Sequence, residues 1–585
     1  KDLIYTGRTL FGAMPPKGQE LDDHSFGTIR QKIAGYMKDV NEELWKLGVS
    51  SKTQHNEVAP AQHELAPIYA PANIAVDHNQ IVMKTLKMVA CRHGLQCLLH
   101  EKPFAGVNGS GKHNNWSITT DDGINLLDPG TTPHENIQFL LVLACILKAV
   151  DTHADLLRES AADVGNDHRL GANEAPPAII SIFLGEQLED VVEQLISTGE
   201  ATHSLEGGKL MTGVKTLPDL TKDATDRNRT SPFAFTGNKF EFRMVGSKDS
   251  IAAPNIVLNT IVAEAFAEAS DVLEKADDFE MAVHDLIKKY LTEHQRIIFN
   301  GDGYSAEWEE EAKRRGLPNH KNTVDALKCL KDPKYIDMLD RQGIYTKVEI
   351  ASRYEILLDN YIKTIQVEAL TAVKMVKTQI YPAACDYLAK VSSEVVAAKE
   401  AGIPAAFLTE DATKLATLLQ ETKDKLTTLE NNIAKAQASE EEIFEVATMW
   451  RDDVFGMMQS LRETVDTIEE AWNRKYQEYL GFTPKNHQEG ILQDVHWASG
   501  CVGYFQGYAL GDAYAAQFAH KLLADCPDAF EKLGKGDSSV IGNWLKEHIH
   551  QYGQTYSARE MLKKATGEEL NTGYYIEYLK EKYLH

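Results

Sequence analysis

Over roughly the first 250 residues, apolar positions come in short runs of strand length, broken by Gly, Pro and Asn. From about 255 to 475 they recur at steps of three and four, the period of an amphipathic helix. The pattern predicts an α/β (α+β) protein whose strand-bearing half carries the chemistry and whose second half is helical. Between 411 and 436, Leu415, Leu418, Thr422, Leu426, Leu429 and Ile433 form one apolar stripe flanked by Lys and Glu, as in a helical hairpin or short coiled-coil arm. Ala438 and Ser439 before Glu440, Glu441 and Glu442 supply a break, an N-cap and an acidic first turn for a returning helix through about 470. From Trp472 the chain turns aromatic and Gly-rich to Gly511 and then reads as short amphipathic helices. The expected division is a core at 1–250, its helical part at 251–410, an arm at 411–471 and a separate tail at 472–585.

The 585 residues exceed one ordinary core, and 43% hydrophobic content suffices for two or more folded units. A net charge of −25 opposes nucleic-acid backbones and anionic membranes as partners, so small ligands are expected, phosphorylated ones at local Arg and Lys clusters. Seven cysteines without a CxxC read as reduced thiols, Cys145 within Leu140–Ala144 and its flank as core, and the compartment as cytoplasmic. No apolar run reaches the roughly 20 residues of a membrane span. The opening Lys1-Asp2-Leu3-Ile4-Tyr5 has neither Met nor a signal layout and reads as a cut inside a longer sequence.

Four stretches carry candidate chemistry. Glu57 and Glu64 in Asn56-Glu57-Val58-Ala59-Pro60-Ala61-Gln62-His63-Glu64 are an odd number of residues apart, so they face opposite sides of an unbroken strand and converge only through a bend at Ala59-Pro60. Converging carboxylates suit a hard cation such as Mg²⁺ or Mn²⁺; two surface glutamates are the plain alternative. Gly106-Val107-Asn108-Gly109-Ser110-Gly111-Lys112-His113 nearly spells a P-loop, but His113 stands where a P-loop needs Ser or Thr, and Trp116–Thr120 reads as strand rather than helix. What remains is a Gly-rich turn close to a ligand, ending in a metal-capable histidine.

In Lys239-Phe240-Glu241-Phe242-Arg243-Met244, alternation puts Lys239, Glu241 and Arg243 on one strand face. They are either self-pairing ions on a solvated face or a metal carboxylate between two anion-gripping cations, with Asp226-Arg227-Asn228-Arg229 adding reach. Arg169-Leu170-Gly171-Ala172-Asn173-Glu174-Ala175-Pro176-Pro177 sets Arg and Glu around a Gly and ends in two prolines, as a lid with a proton acceptor would.

Taken in order, these motifs resemble the glutamine synthetase superfamily over about residues 1–470, most closely its type III branch. The resemblance implies a catalytic domain with a curved antiparallel sheet, a large helical part and a coiled-coil-like hairpin. It implies two or more divalent ions, Mg²⁺ or Mn²⁺, with Glu57 and Glu64 holding one and His113 and Glu241 the other. ATP would lie at Ser117, Arg229 and Lys239. Glutamate would lie at Asn108, Gly109, Arg169 and Arg243. Glu174, Arg229 and Arg243 would be catalytic, Glu174 taking a proton from ammonium and shielding γ-glutamyl phosphate from water. Glutamate, ammonium and ATP are the implied substrates, and a homo-oligomer, a dodecamer of two hexameric rings, the implied assembly. The family's E-x-E strand and β-grasp domain lie before the point where this sequence starts, which motivates an alternative as a non-catalytic assembly subunit.

The tail resembles the C-terminal segment of Taq-type metallocarboxypeptidases through Gly490-Ile491-Leu492-Gln493-Asp494-Val495-His496-Trp497, Gly503-Tyr504-Phe505, Tyr508–Gly511 and Ala565-Thr566-Gly567-Glu568. That raises a zinc carboxypeptidase as a third alternative. HExxH, that family's zinc motif, does not occur in the sequence, and Gln506-Gly507 replaces the usual Pro-Thr.

Overall fold

The computed structural model describes residues 2–12, 19, 23–171, 175–205, 209–210, 220–221, 230–480, 505–553 and 555–583. It separates into two compact units, 1–490 and 491–585. Among the described residues, eight strands form three small sheets: β1 (Ser51–Asn56) with β2 (His63–Pro67), β5 (Lys209–Leu210) with β6 (Leu220–Thr221), and β3 (Gly111–Trp116), β8 (Phe240–Gly246), β7 (Phe233–Phe235) and β4 (Ile182–Phe183) in that spatial order. The four-stranded sheet is antiparallel except where β4 pairs β7 in parallel. That pairing departs from the wholly antiparallel expectation because the Glu186–Thr198 helix intervenes between β4 and β7, and a parallel pair needs such a crossover.

The expected strand over Trp116–Thr120 lies earlier. β3 starts at Gly111 and stops at Trp116, after which Thr120, Asp122 and Gly123 make a turn closed by Ile124 N–H donating to the Thr120 hydroxyl. Glycine content hid the strand. Central β8 is buried along its whole length, which excludes the solvated-face reading of Glu241 and Arg243. Its Phe240 stacks on Phe233 with centroids 4.5 Å apart, and Phe235 meets Phe139 of the Ile137–Thr152 helix. That helix is apolar nearly all round, as a helix enclosed on every side must be, and Cys145 lies buried within it.

A second, smaller core lies between the Gln31–Lys46 and Ala72–Arg92 helices, where Tyr36, Met37, Val40 and Leu44 meet Val82 and Val89 behind the β1–β2 hairpin. In the helical half, Thr346 and Glu349 form a capping box that starts the Lys347–Met375 helix. A π-turn at Val376–Ile380 precedes Pro382, whose missing N–H cannot continue an ordinary ladder.

The Ala406–Gln437 helix buries Leu415, Leu419, Thr422, Leu426, Leu429 and Ile433; Leu419 takes the place expected of Leu418, which is half-buried. It packs on the Tyr381–Glu400 and Gly456–Leu480 helices. The returning segment starts at Ile443 after Glu442 rather than from a Ser439 cap, passes a π-turn at Trp450–Phe455, and runs on to Leu480. Residues 2–12 cross this helical face: Arg8 makes a two-pronged pair with buried Glu368 at 2.8 and 2.6 Å, Arg462 donates to Thr9 O, and Gly12 N–H donates to Asp466. In the 491–585 unit, Leu522, Ala529 and Trp544 form a small core with Phe518 and Leu545.

Candidate functional site

The β1–β2 hairpin places His55 directly across from Glu64 and Asn56 from His63. Glu57 follows β1 immediately, and its N–H donates to Gln62 O across the turn. Val58, Ala59 and Pro60 are buried, and Ala61 takes a left-handed φ of 58°. The chain thus bends where the odd Glu57–Glu64 separation requires. His55 Nε2 lies 2.9 Å from Glu57 Oε1 and 3.2 Å from Glu64 Oε2, so all three groups converge. His63, the histidine inside the sequence motif, is instead bonded to Asn56 at 3.0 Å.

The second cluster spans β3 and β8. Asn115 faces Glu241 in register, and His113, two residues from Asn115, shares its face and reaches Glu241 diagonally, Nδ1 to Oε1 3.3 Å. A register irregularity between Lys112 and Asn114 marks the place where His113 is re-aimed. Glu241 is 1% exposed and Arg243 2%, with Arg243 Nε 3.8 Å from the Glu241 carboxylate. Lys239 is half-buried at the turn before β8, and Ser117 is exposed just past β3.

The Gly-rich run packs on a set of buried charges. Lys112, the residue that mimics a P-loop lysine, donates to Ser247 O at 2.8 Å, Gly246 O at 3.3 Å and Asp249 O, and burial lowers its pKa to about 8. An ammonium fastened to backbone carbonyls has no reach for phosphate, which bears out the rejection of a P-loop. Asn108 is buried, and its N–H donates to Gln19. Arg169 is 5% exposed; it donates to Arg243 O at 3.0 Å, Asn166 Oδ1 at 3.1 Å and Met244 O at 3.4 Å, and burial lowers its pKa to about 10. A Cβ on Gly109 would meet Arg169 Cγ at 3.0 Å, and one on Gly111 its Nη2 at 2.0 Å, so glycine is required for strand and guanidinium to approach. Holding a substrate carboxylate would require Arg169 to exchange these bonds. Glu174 and Arg229, together with the other residues of 172–174 and 222–229, lie outside the described residues.

Sequence reasoning missed two features. His55 was legible in principle, since it is two positions before Glu57 and so on the same strand face. The other is a cluster beneath the Gly-rich run: Glu101, Asp163 and Asp249 around Lys248, whose Nζ is 2.7 Å from Asp163 and 3.7 Å from Glu101. Burial raises the Glu101 pKa and, with the neighbouring carboxylates, pushes Asp249 up to about 7. Asp163 also caps the short helix bearing Arg169, and Ser110 N–H donates to Glu101 O at 2.8 Å. The four residues come from three distant segments, with only Lys248 and Asp249 adjacent, so no local pattern announced the cluster.

Fold and clusters together define an α/β protein that sets one carboxylate–imidazole group on the β1–β2 hairpin and another across β3 and β8, the latter beside buried Arg243. Residues 19–161 match the glutamine synthetase catalytic domain, and 282–399 the glutamine synthetase C-terminal domain. A glutamine synthetase of Butyrivibrio fibrisolvens is 47% identical over 492 residues, covering 82% of this chain and 68% of that protein. A type-3 glutamine synthetase of Dictyostelium discoideum is 51% identical over 397 residues, 67% of this chain and 54% of that protein. The chain belongs to the glutamine synthetase family. Residues 456–583 match the carboxypeptidase Taq (M32) metallopeptidase family, and 120 residues are 49% identical to carboxypeptidase 1 of Bacillus subtilis, 24% of that protein's length.

Proposed function

We propose that this protein joins ammonia to glutamate at the expense of ATP, through γ-glutamyl phosphate, giving glutamine, ADP and phosphate. The observation that carries the reading is the pairing of Glu57 with Glu64 and of His113 with Glu241, the latter beside Arg243. Carboxylate oxygens, joined at one of the two positions by the imidazole of His113, fit a hard divalent cation, Mg²⁺ or Mn²⁺. Glu57 and Glu64 would hold one ion, and His113 and Glu241 the other. Bound there, the cations would offset charge on the ATP phosphates and orient the phosphoryl group for in-line transfer.

Around them the chain's own groups divide the work. Arg243, held by Glu241, faces the transferring group with Lys239 at the turn just before its strand; cationic groups so placed contribute on the order of 10³–10⁵ in rate. Arg229 adds to this set, and Ser117 at the end of β3 borders the nucleotide. Asn108 and Gly109 hold the amino end of glutamate and Arg169 its α-carboxylate. Glu174 takes the proton that ammonium must lose before it can attack the acyl phosphate, and keeps water away from that intermediate. The reading includes a cytoplasmic homo-oligomer, a dodecamer of two hexameric rings, which native mass measurement tests. The carboxypeptidase reading lacks its zinc motif, since HExxH is absent from the sequence.

Phosphate release from ATP that needs both glutamate and ammonium, and falls at least about a hundredfold in Glu57→Gln and in Glu241→Gln, is the expected result. Absence of such release from the full chain, with ions bound, favours the assembly-subunit reading instead.

A further inference from the structure

Asn166, in the Val164–Arg169 helix, is 0% exposed, and its side chain ties that helix to β8. Its Nδ2 donates to Ala161 O at 2.8 Å and to Met244 O at 2.9 Å, while its Oδ1 accepts from Arg169 Nη1 at 3.1 Å. Carbonyls only accept and a guanidinium only donates, so an amide satisfies both sides at once. Arg169 stands apart from the other buried arginines. Among the described residues, buried Arg8, Arg158 and Arg243 each have a carboxylate oxygen within 4.0 Å, from Glu368, Asp167 and Glu241 in turn. The hydrogen bonds of Arg169 go instead to neutral groups, Asn166 Oδ1, Arg243 O and Met244 O. Glu101 and Asp249 favour its charge only from a distance. A buried charge that lacks a close counterion is costly, and a frame that tolerates one keeps a place for an anion.

We infer that Asn166 is a positioning residue for glutamate: its neutral amide fixes the Arg169 guanidinium against the β8 backbone and leaves the positive charge to be answered by the substrate's α-carboxylate. The inference rests on the reading above in which Arg169 holds that carboxylate. An acidic side chain in the place of Asn166 would neutralise the guanidinium and compete with the ligand, and an apolar one would leave it without its side-chain acceptor.

The test is phosphate release by the full chain, with KM for glutamate, KM for ATP and kcat measured separately for the unaltered protein, Asn166→Ala, Asn166→Asp, Arg169→Ala and the double variant Asn166→Ala with Arg169→Ala. Asn166→Ala should raise the glutamate KM at least about tenfold and leave kcat and the ATP KM within about threefold. Asn166→Asp has nearly the same shape, so it stays assayable where Asn166→Ala melts too low, and its added charge should raise the glutamate KM at least about fivefold. With Arg169 already replaced, Asn166→Ala should change the glutamate KM by less than about twofold, because it acts through the guanidinium. An Asn166→Asp protein with an unaltered glutamate KM would overturn the inference, and so would a full additional rise in the double variant. Losses in kcat and in both KM values together, alongside a lowered melting midpoint, would make Asn166 a prop for the fold and overturn it as well. An Arg169→Ala protein with an unchanged glutamate KM would remove the role of Arg169 beneath the inference, and an unaltered protein that releases no phosphate with glutamate and ammonium would remove the ligase reading itself.

Discussion

Single side chains show how far burial overrides composition. His100 is 6% exposed, accepts a hydrogen bond from Lys102 N–H, and lies against His168 with centroids 6.1 Å apart. Burial, with Lys248 and Arg8 nearby, lowers its pKa from 6.5 to about 3. As pH falls below 6.5 the unfolded chain takes up a proton that the folded one refuses until about pH 3, so stability drops across that window by a few kcal/mol. His100→Asn keeps an acceptor for Lys102 and removes the titration; its melting midpoint should fall less between pH 6 and pH 4 than that of the unaltered protein. Parallel curves would refute the assignment. At this scale the sequence was legible where geometry is local: the odd spacing of Glu57 and Glu64 demanded a bend, and a bend exists. It was silent where partners are distant, as for Lys248 with Glu101 and Asp163.

At the scale of elements, helices were read well and strands less so, because a helix's period stays within one segment while a strand's identity depends on its neighbours. The stripe from Leu415 to Ile433 lies on one buried helix face, displaced by one position at Leu419. By contrast, Gly111–Trp116 carries two asparagines, a lysine and a glycine and becomes a strand because β8 pairs with it. Beneath that pair lies Arg169, which gives a testable coupling. Gly111→Ala forces a carbon to within 2.0 Å of the Arg169 guanidinium and should cost about 1–3 kcal/mol in chemical denaturation. In an Arg169→Ala background the same change should cost clearly less, and additive costs would show that the two do not compete for space.

At the scale of the whole molecule, the core of the first unit continues from the sheet through the Lys347–Met375 helix to Leu461 and Val465, whereas 491–585 has its own apolar cluster around Trp544. A polypeptide ending at Gly490 should therefore unfold cooperatively with a midpoint within about 2 °C of the full chain's first transition, read by circular dichroism. A broad or much earlier transition would mean that the second unit supports the first. The tail's change of texture was visible in the sequence, whereas the helix that runs unbroken through Trp472 to Leu480 was not, since helical period alone does not mark which unit owns a helix.

The contacts of residues 2–12 also carry a timetable. Arg8 waits for Glu368, and Gly12 waits for Asp466, 454 positions later. A ribosome adding about 5–20 residues per second needs roughly 20–90 seconds to cover that interval. Throughout it Leu10 and Phe11 have no completed core to enter, so residues 2–12 dock only after segments made long after them. Nascent chains stalled before residue 466 should expose them to a chaperone or a protease, and released chains should hide them.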